Sequence, residues 1–172
     1  MDVPAHTPRR WIAFLLAGAA ALIGVSAWLL LTGRPREGGV AVAGAGALLV
    51  VAPLVARRGS PLERFVDSVL DRAFDGLVLA SIAWVSRAGD PPAAAAAVVA
   101  MGAGFIAAYV GARARALGYD VATSPVYRGI HYGLVAAGLL TGRLAATLWI
   151  AAALGALTAV VRASQVAKEE RA

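Results

Sequence analysis

From Trp11 to Leu31 the chain carries no charged side chain, and three later runs share that property: Gly38 to Ala56, Ala93 to Val110 and Leu144 to Val161. About 20 apolar residues in a helix cross the ~30 Å of hydrocarbon in a bilayer. Two weaker runs complete the pattern. Phe65 to Val85 carries Asp67, Asp71, Arg72 and Asp75 in its first half, and Val126 to Leu140 includes Arg128 and His131. Breakers or charges bound the runs, as at Gly33-Arg34-Pro35, Arg57-Arg58-Gly59-Ser60-Pro61, Gly89-Asp90-Pro91-Pro92 and Thr141-Gly142-Arg143. The pattern predicts an all-α, polytopic membrane bundle of six transmembrane helices, over 11–31, 38–56, 65–85, 93–110, 126–140 and 144–161, forming one integral membrane domain over residues 1–172.

Composition agrees. The 172 residues are 60% hydrophobic and 15% charged, with a mean hydropathy of +0.73. A soluble domain is about 25% charged, and disordered chains are polar, so both classes are excluded. The chain has no cysteine, which excludes disulfides, thiolate metal sites and a cysteine nucleophile. The net charge of +6 points to an anionic bilayer face or a phosphate-bearing lipid rather than to nucleic acid. Val25-Ser26-Ala27 looks like a signal-peptide cleavage site, but the apolar run continues through Trp28 to Leu31 and exceeds the ~7–15 residues of a signal core.

Orientation follows from the cations. With six spans and the N-terminus inside, only Arg34, Arg36, Arg87 and Arg143 of the 16 Lys and Arg residues fall outside. Both termini are therefore expected in the cytoplasm, with the protein in a cell membrane. Small-xxx-small pairs such as Gly133 with Ala137 leave room for close helix packing or a homodimer.

Glu63, Asp67, Asp71 and Asp75 stand four residues apart, so a helix stacks them on one face. Like charges at that spacing repel, and an Asp at mid-span costs about 2.5–3.5 kcal/mol on insertion scales. Arg64 and Arg72 lie three residues before Asp67 and Asp75 but are expected to project toward other faces. Three readings follow from the residues. A divalent ion such as Mg²⁺ or Mn²⁺ compensates the acids; or the helix starts among headgroups, with its acids solvated and paired to nearby arginines; or the stripe lines a cation pathway. His131 is expected to be a polar interface residue. Arg113 and Arg115 fit either an inside-positive role or a phosphate contact.

The stretch Asp67-x-x-x-Asp71, followed by Arg72, Asp75 and Gly76, resembles the second half of the motif D-x-x-D-G-x-x-A-R…G-x-x-x-D-x-x-x-D of the CDP-alcohol phosphatidyltransferases. Leu70 to Gly76 looks most like the inositol-phosphate and glycerophosphate branches. Thr7-Pro8 before the first span, Tyr109-Val110-Gly111-Ala112-Arg113-Ala114-Arg115-Ala116-Leu117-Gly118, Val126-Tyr127-Arg128 and Arg162 extend the likeness along most of the chain. The resemblance implies six spans and a cytoplasmic site where divalent ions grip the diphosphate of CDP-diacylglycerol. A phosphatidyl group then passes to a small alcohol, and CMP leaves. It assigns Asp67, Asp71 and Asp75 as metal ligands, Asp71 as general base, and Arg57, Arg113 and Arg128 as phosphate contacts.

Several motif positions depart from that family. Counting back from Ala56-Arg57, its first aspartate falls on Leu49, its second on Ala52 and its glycine on Pro53. Glu63 replaces the glycine before Asp67, Gly111 the first arginine of the fourth-span motif, and Tyr127 a glutamate. Two ions need oxygens from more than one direction, so one weak ion site at most is expected. Three functions remain, the first two being a phosphatidyltransferase of weak activity and a non-catalytic relative that binds lipid or nucleotide or pairs with an intact paralogue. A small cation carrier is a third.

Overall fold

The computed structural model describes residues 8–55, 60–121 and 125–171, and these are helical with short connections. The helices are α1 (Pro8–Leu31), α2 (Pro35–Val55), α3 (Pro61–Phe74), α4 (Ala80–Ser86), α5 (Pro91–Ala116), α6 (Pro125–Thr141) and α7 (Leu144–Glu169). A π-helical turn, Asp75–Leu79, joins α3 to α4 without a break, so the bundle consists of six rods.

Local chemistry sets the ends. Gly33, Gly118 and Gly142 take φ of 76°, 95° and 73° just after α1, α5 and α6, the left-handed geometry that glycine allows at a helix C-terminus. Asp90 accepts from the Ala93 amide at 3.1 Å, and Pro91 and Pro92 open α5 where amides have no helical partner. At α3 the Ser60 hydroxyl accepts from the Glu63 amide at 3.2 Å. The Glu63 carboxylate accepts from the Ser60 amide at 2.7 Å. This is a capping box, and it gives Glu63 a structural task.

Four helices, α1, α2, α5 and α7, are long and apolar enough to cross a membrane. Among the described residues the rods number six, as many as the helices expected, and four of them meet that length and apolarity. The α3–α4 rod carries four acids, and α6 has 17 residues, which leaves both outside that apolar set. Helix α5 packs on α7, α1 on α2, and α6 on both α2 and α7. Phe74, Val78, Leu79 and Ile82 from the α3–α4 rod are fully buried with Leu49, Val135 and Leu148. Glycine brings helices close at two critical contacts. A Cβ on Gly46 would lie 2.6 Å from that of Tyr132, and one on Gly39 would lie 2.9 Å from that of Leu139. Outward-facing apolar groups include Trp11 and Phe14, each 70% exposed, with Trp28 and Trp84. So much exposed apolar surface suits a lipid solvent.

Candidate functional site

The acids of α3 point into the bundle. The side chains of Asp67 and Asp71 are 16% and 15% exposed, and Asp75 is buried. The reading of a solvated stripe among headgroups is therefore corrected on its solvation, while its pairing with arginines holds.

Helix α6 supplies the facing groups. The Arg128 guanidinium donates to Asp67 Oδ2 at 2.7 Å and lies 3.6 Å from Asp71 Oδ1. One turn later the Tyr132 hydroxyl donates to that same Asp71 oxygen. His131, between them, places Nε2 3.0 Å from Asp75 Oδ1, so it is the polar interface residue expected. Arg128, His131 and Tyr132 stand at i, i+3 and i+4 and so share a face. That spacing was the available signal for Tyr132, which reading the sequence for acids had missed.

Arg72 overturns one expectation. It does not project away from the acids: it donates to Asp71 Oδ2 at 2.6 Å and pairs with Asp75 Oδ2 at 2.9 Å. It also donates to the Gly104 carbonyl at 2.8 Å and lies over the Phe105 ring. The long arginine stem reaches around the helix because α5 gives its head a seat. Gly104 is essential to that seat, since a Cβ there would lie 2.8 Å from Asp75 Oδ2. The π turn begins at Asp75, and such turns are common at functional sites.

Helix α2 contributes hydrocarbon. Ala52 packs in a cluster with Ile12 and Leu16, against which Val66 and Leu70 of α3 also rest. Leu49 is fully buried beside Phe74 and Tyr132, and Pro53 is exposed. No oxygen-bearing side chain meets the acids from Leu49, Ala52 or Pro53. Among the described residues, no group of three or more His, Asp and Glu side chains converges as metal ligands would. The residues present therefore do not fit a two-ion centre.

The remaining assignments separate. Arg113 is exposed in the last turn of α5. Gly111 is buried, and a Cβ there would lie 3.0 Å from a terminal nitrogen of Arg162. That guanidinium donates to the Ala107 carbonyl at 2.6 Å. Gly111 thus makes room for an arginine arriving from α7. Tyr127 holds its ring within 26° of parallel to that of His131, with centroids 6.3 Å apart. Thr7 and Arg57 lie outside the described residues.

No family model matches the chain. Over 156 residues it is 31% identical to an archaetidylinositol phosphate synthase of Methanothermobacter thermautotrophicus, an alignment covering 86% of this chain and 75% of that protein. That kinship agrees with the aspartate spacing of α3 and with the cation facing it from α6, and the chain belongs to the CDP-alcohol phosphatidyltransferase family.

Proposed function

We propose that the chain acts in phospholipid biosynthesis by recognising a CDP-lipid, CDP-diacylglycerol or a close relative, at the ladder between α3 and α6. The reaction is transfer of the phosphatidyl group to a small alcohol. The acceptor oxygen bonds to the phosphatidyl phosphorus, the phosphorus–oxygen bond to CMP breaks, and Asp71 takes the acceptor's proton. The relative's name, archaetidylinositol phosphate synthase, favours an alcohol phosphate as acceptor. Six spans with both termini cytoplasmic put this site on the cytoplasmic side of the cell membrane. Arg128 presents one guanidinium to the mouth of the ladder, and charge-assisted contacts to phosphate are the strong ones. Arg57 and Arg113 are proposed as outer phosphate contacts. Transfer is slow, because positioning and charge neutralisation carry phosphoryl chemistry and one wall of the site offers neither.

The observation that carries this reading is the pair Asp67 and Asp71, one turn apart, held against Arg128 at 2.7 Å and 3.6 Å. A second reading, a non-catalytic relative, is favoured by the apolar packing of Ala52 and Leu49. Purified protein in lipid discs with CDP-diacylglycerol and inositol phosphate decides between them. Slow CMP release that Asp71→Asn abolishes supports transfer. CDP-lipid binding without CMP release establishes the non-catalytic relative. Absence of CDP-lipid binding under every condition overturns both.

A further inference from the structure

The carboxylates that the family's chemistry would assign to divalent ions already have partners in this chain. Asp71 Oδ2 and Asp75 Oδ2 both bond Arg72. Asp71 Oδ1 accepts from Tyr132 and faces Arg128. Asp75 Oδ1 meets His131, and Asp67 Oδ2 meets Arg128. Of these carboxylate oxygens, only Asp67 Oδ1 is buried without a partner among the described residues. A hard divalent ion takes six or more oxygens, and Mg²⁺ demands near-octahedral placement of them. One free carboxylate oxygen does not approach that set.

We infer that Arg72 and Arg128 are built-in counter-cations that take the place of ions, so that the α3 ladder does not recruit Mg²⁺ or Mn²⁺. Three carboxylates face two guanidiniums, so most of the charge a divalent ion would neutralise is already balanced. Any ion entering would also meet two fixed positive groups at contact distance. Arg72 is held from both sides, by the Gly104 carbonyl at 2.8 Å and by the Phe105 ring at 5.5 Å. The missing side chain at Gly104 keeps Asp75 and Arg72 together. Arg128 bridges Asp67 to Asp71, and its removal takes the partner from Asp67 Oδ2 while Asp71 keeps Arg72 and Tyr132. This inference rests on the α3 ladder being the CDP-lipid site, but it concerns how that site is neutralised rather than what it binds.

The experiment is Mn²⁺ binding to the full chain in neutral-lipid discs, read by electron paramagnetic resonance. Wild type is expected to show no saturable Mn²⁺ binding that Asp71→Asn removes. Arg128→Gln is expected to raise apparent Mn²⁺ affinity by about tenfold or more, the scale on which changes around a metal site act. Adding Asp71→Asn should remove that gain. Saturable Mn²⁺ binding by wild type that is lost in Asp71→Asn overturns the inference. So does a folded Arg128→Gln variant that gains no binding. If Arg128→Gln does not fold, the comparison of wild type with Asp71→Asn still decides. CDP-diacylglycerol binding is measured in parallel in chelator: its absence removes the proposed function and leaves the ion result standing.

Discussion

Helix α3 has two seams, and they were built by opposite rules. Toward α5 and α6 it presents Asp67, Asp71 and Asp75, each met by a named cation or hydroxyl. Toward α1 and α2 it presents Val66 and Leu70, met by Ile12, Leu16 and Ala52. The polar seam is held by direction and charge, the apolar seam by volume. The aspartates of this rod stand on the polar seam, and the seam toward α1 and α2 carries no carboxylate from Ile12, Leu16 or Ala52. The difference shows that a charged stripe can stay inside a membrane protein when packing partners supply its counter-charge.

The comparison breaks most visibly at Asp75. Asp75→Ala leaves Arg72 without its most deeply buried partner, and losing one member of a buried pair costs about 3–5 kcal/mol. Thermal unfolding in detergent should show it, and a loss below about 1 kcal/mol, the range of an exposed pair, would mean that the polar seam is not held by charge. The apolar seam is tested by Ala52→Asp, which puts a carboxylate among Ile12, Leu16, Val66 and Leu70. An unpartnered Asp in the span should cost about 2.5–3.5 kcal/mol. A neutral result would mean that this seam already admits water or a cation. Gly46→Ala sharpens the role of volume, because its Cβ would lie 2.6 Å from that of Tyr132. Overpacking costs about 1–3 kcal/mol, and it should also disturb the hydroxyl contact to Asp71. Ser60→Ala is the smallest effect: loss of the α3 cap should cost about 1 kcal/mol, read as a small fall in melting temperature.

The rods were largely legible in the sequence. The uncharged runs beginning at Trp11, Ala93 and Leu144 lie within α1, α5 and α7, and the described part of the run from Gly38 lies within α2, because absence of charge over a membrane's width is a local property. The ladder was legible too, since a four-residue period is local to one helix. Its neutralisation was not. Arg72 reaches Asp75 only because Gly104, 32 residues later, offers a carbonyl and no side chain. Tyr132 and Asp71 are 61 residues apart, and no spacing rule links them until α6 is known to face α3. The task of Glu63 was hidden for a smaller reason. Its place in an acidic series with a period of four drew attention from Ser60, three residues earlier, with which it closes a capping box.

Arg128 of α6 pairs with Asp67 inside the bundle, and a double-mutant cycle measures that pairing directly. Asp67→Asn, Arg128→Gln and the double variant are unfolded thermally in the same detergent. The structure, with the two groups at 2.7 Å, predicts a coupling of at least about 1 kcal/mol, as for residues in one ion-pair network. Additivity within about 0.3–0.5 kcal/mol would contradict it.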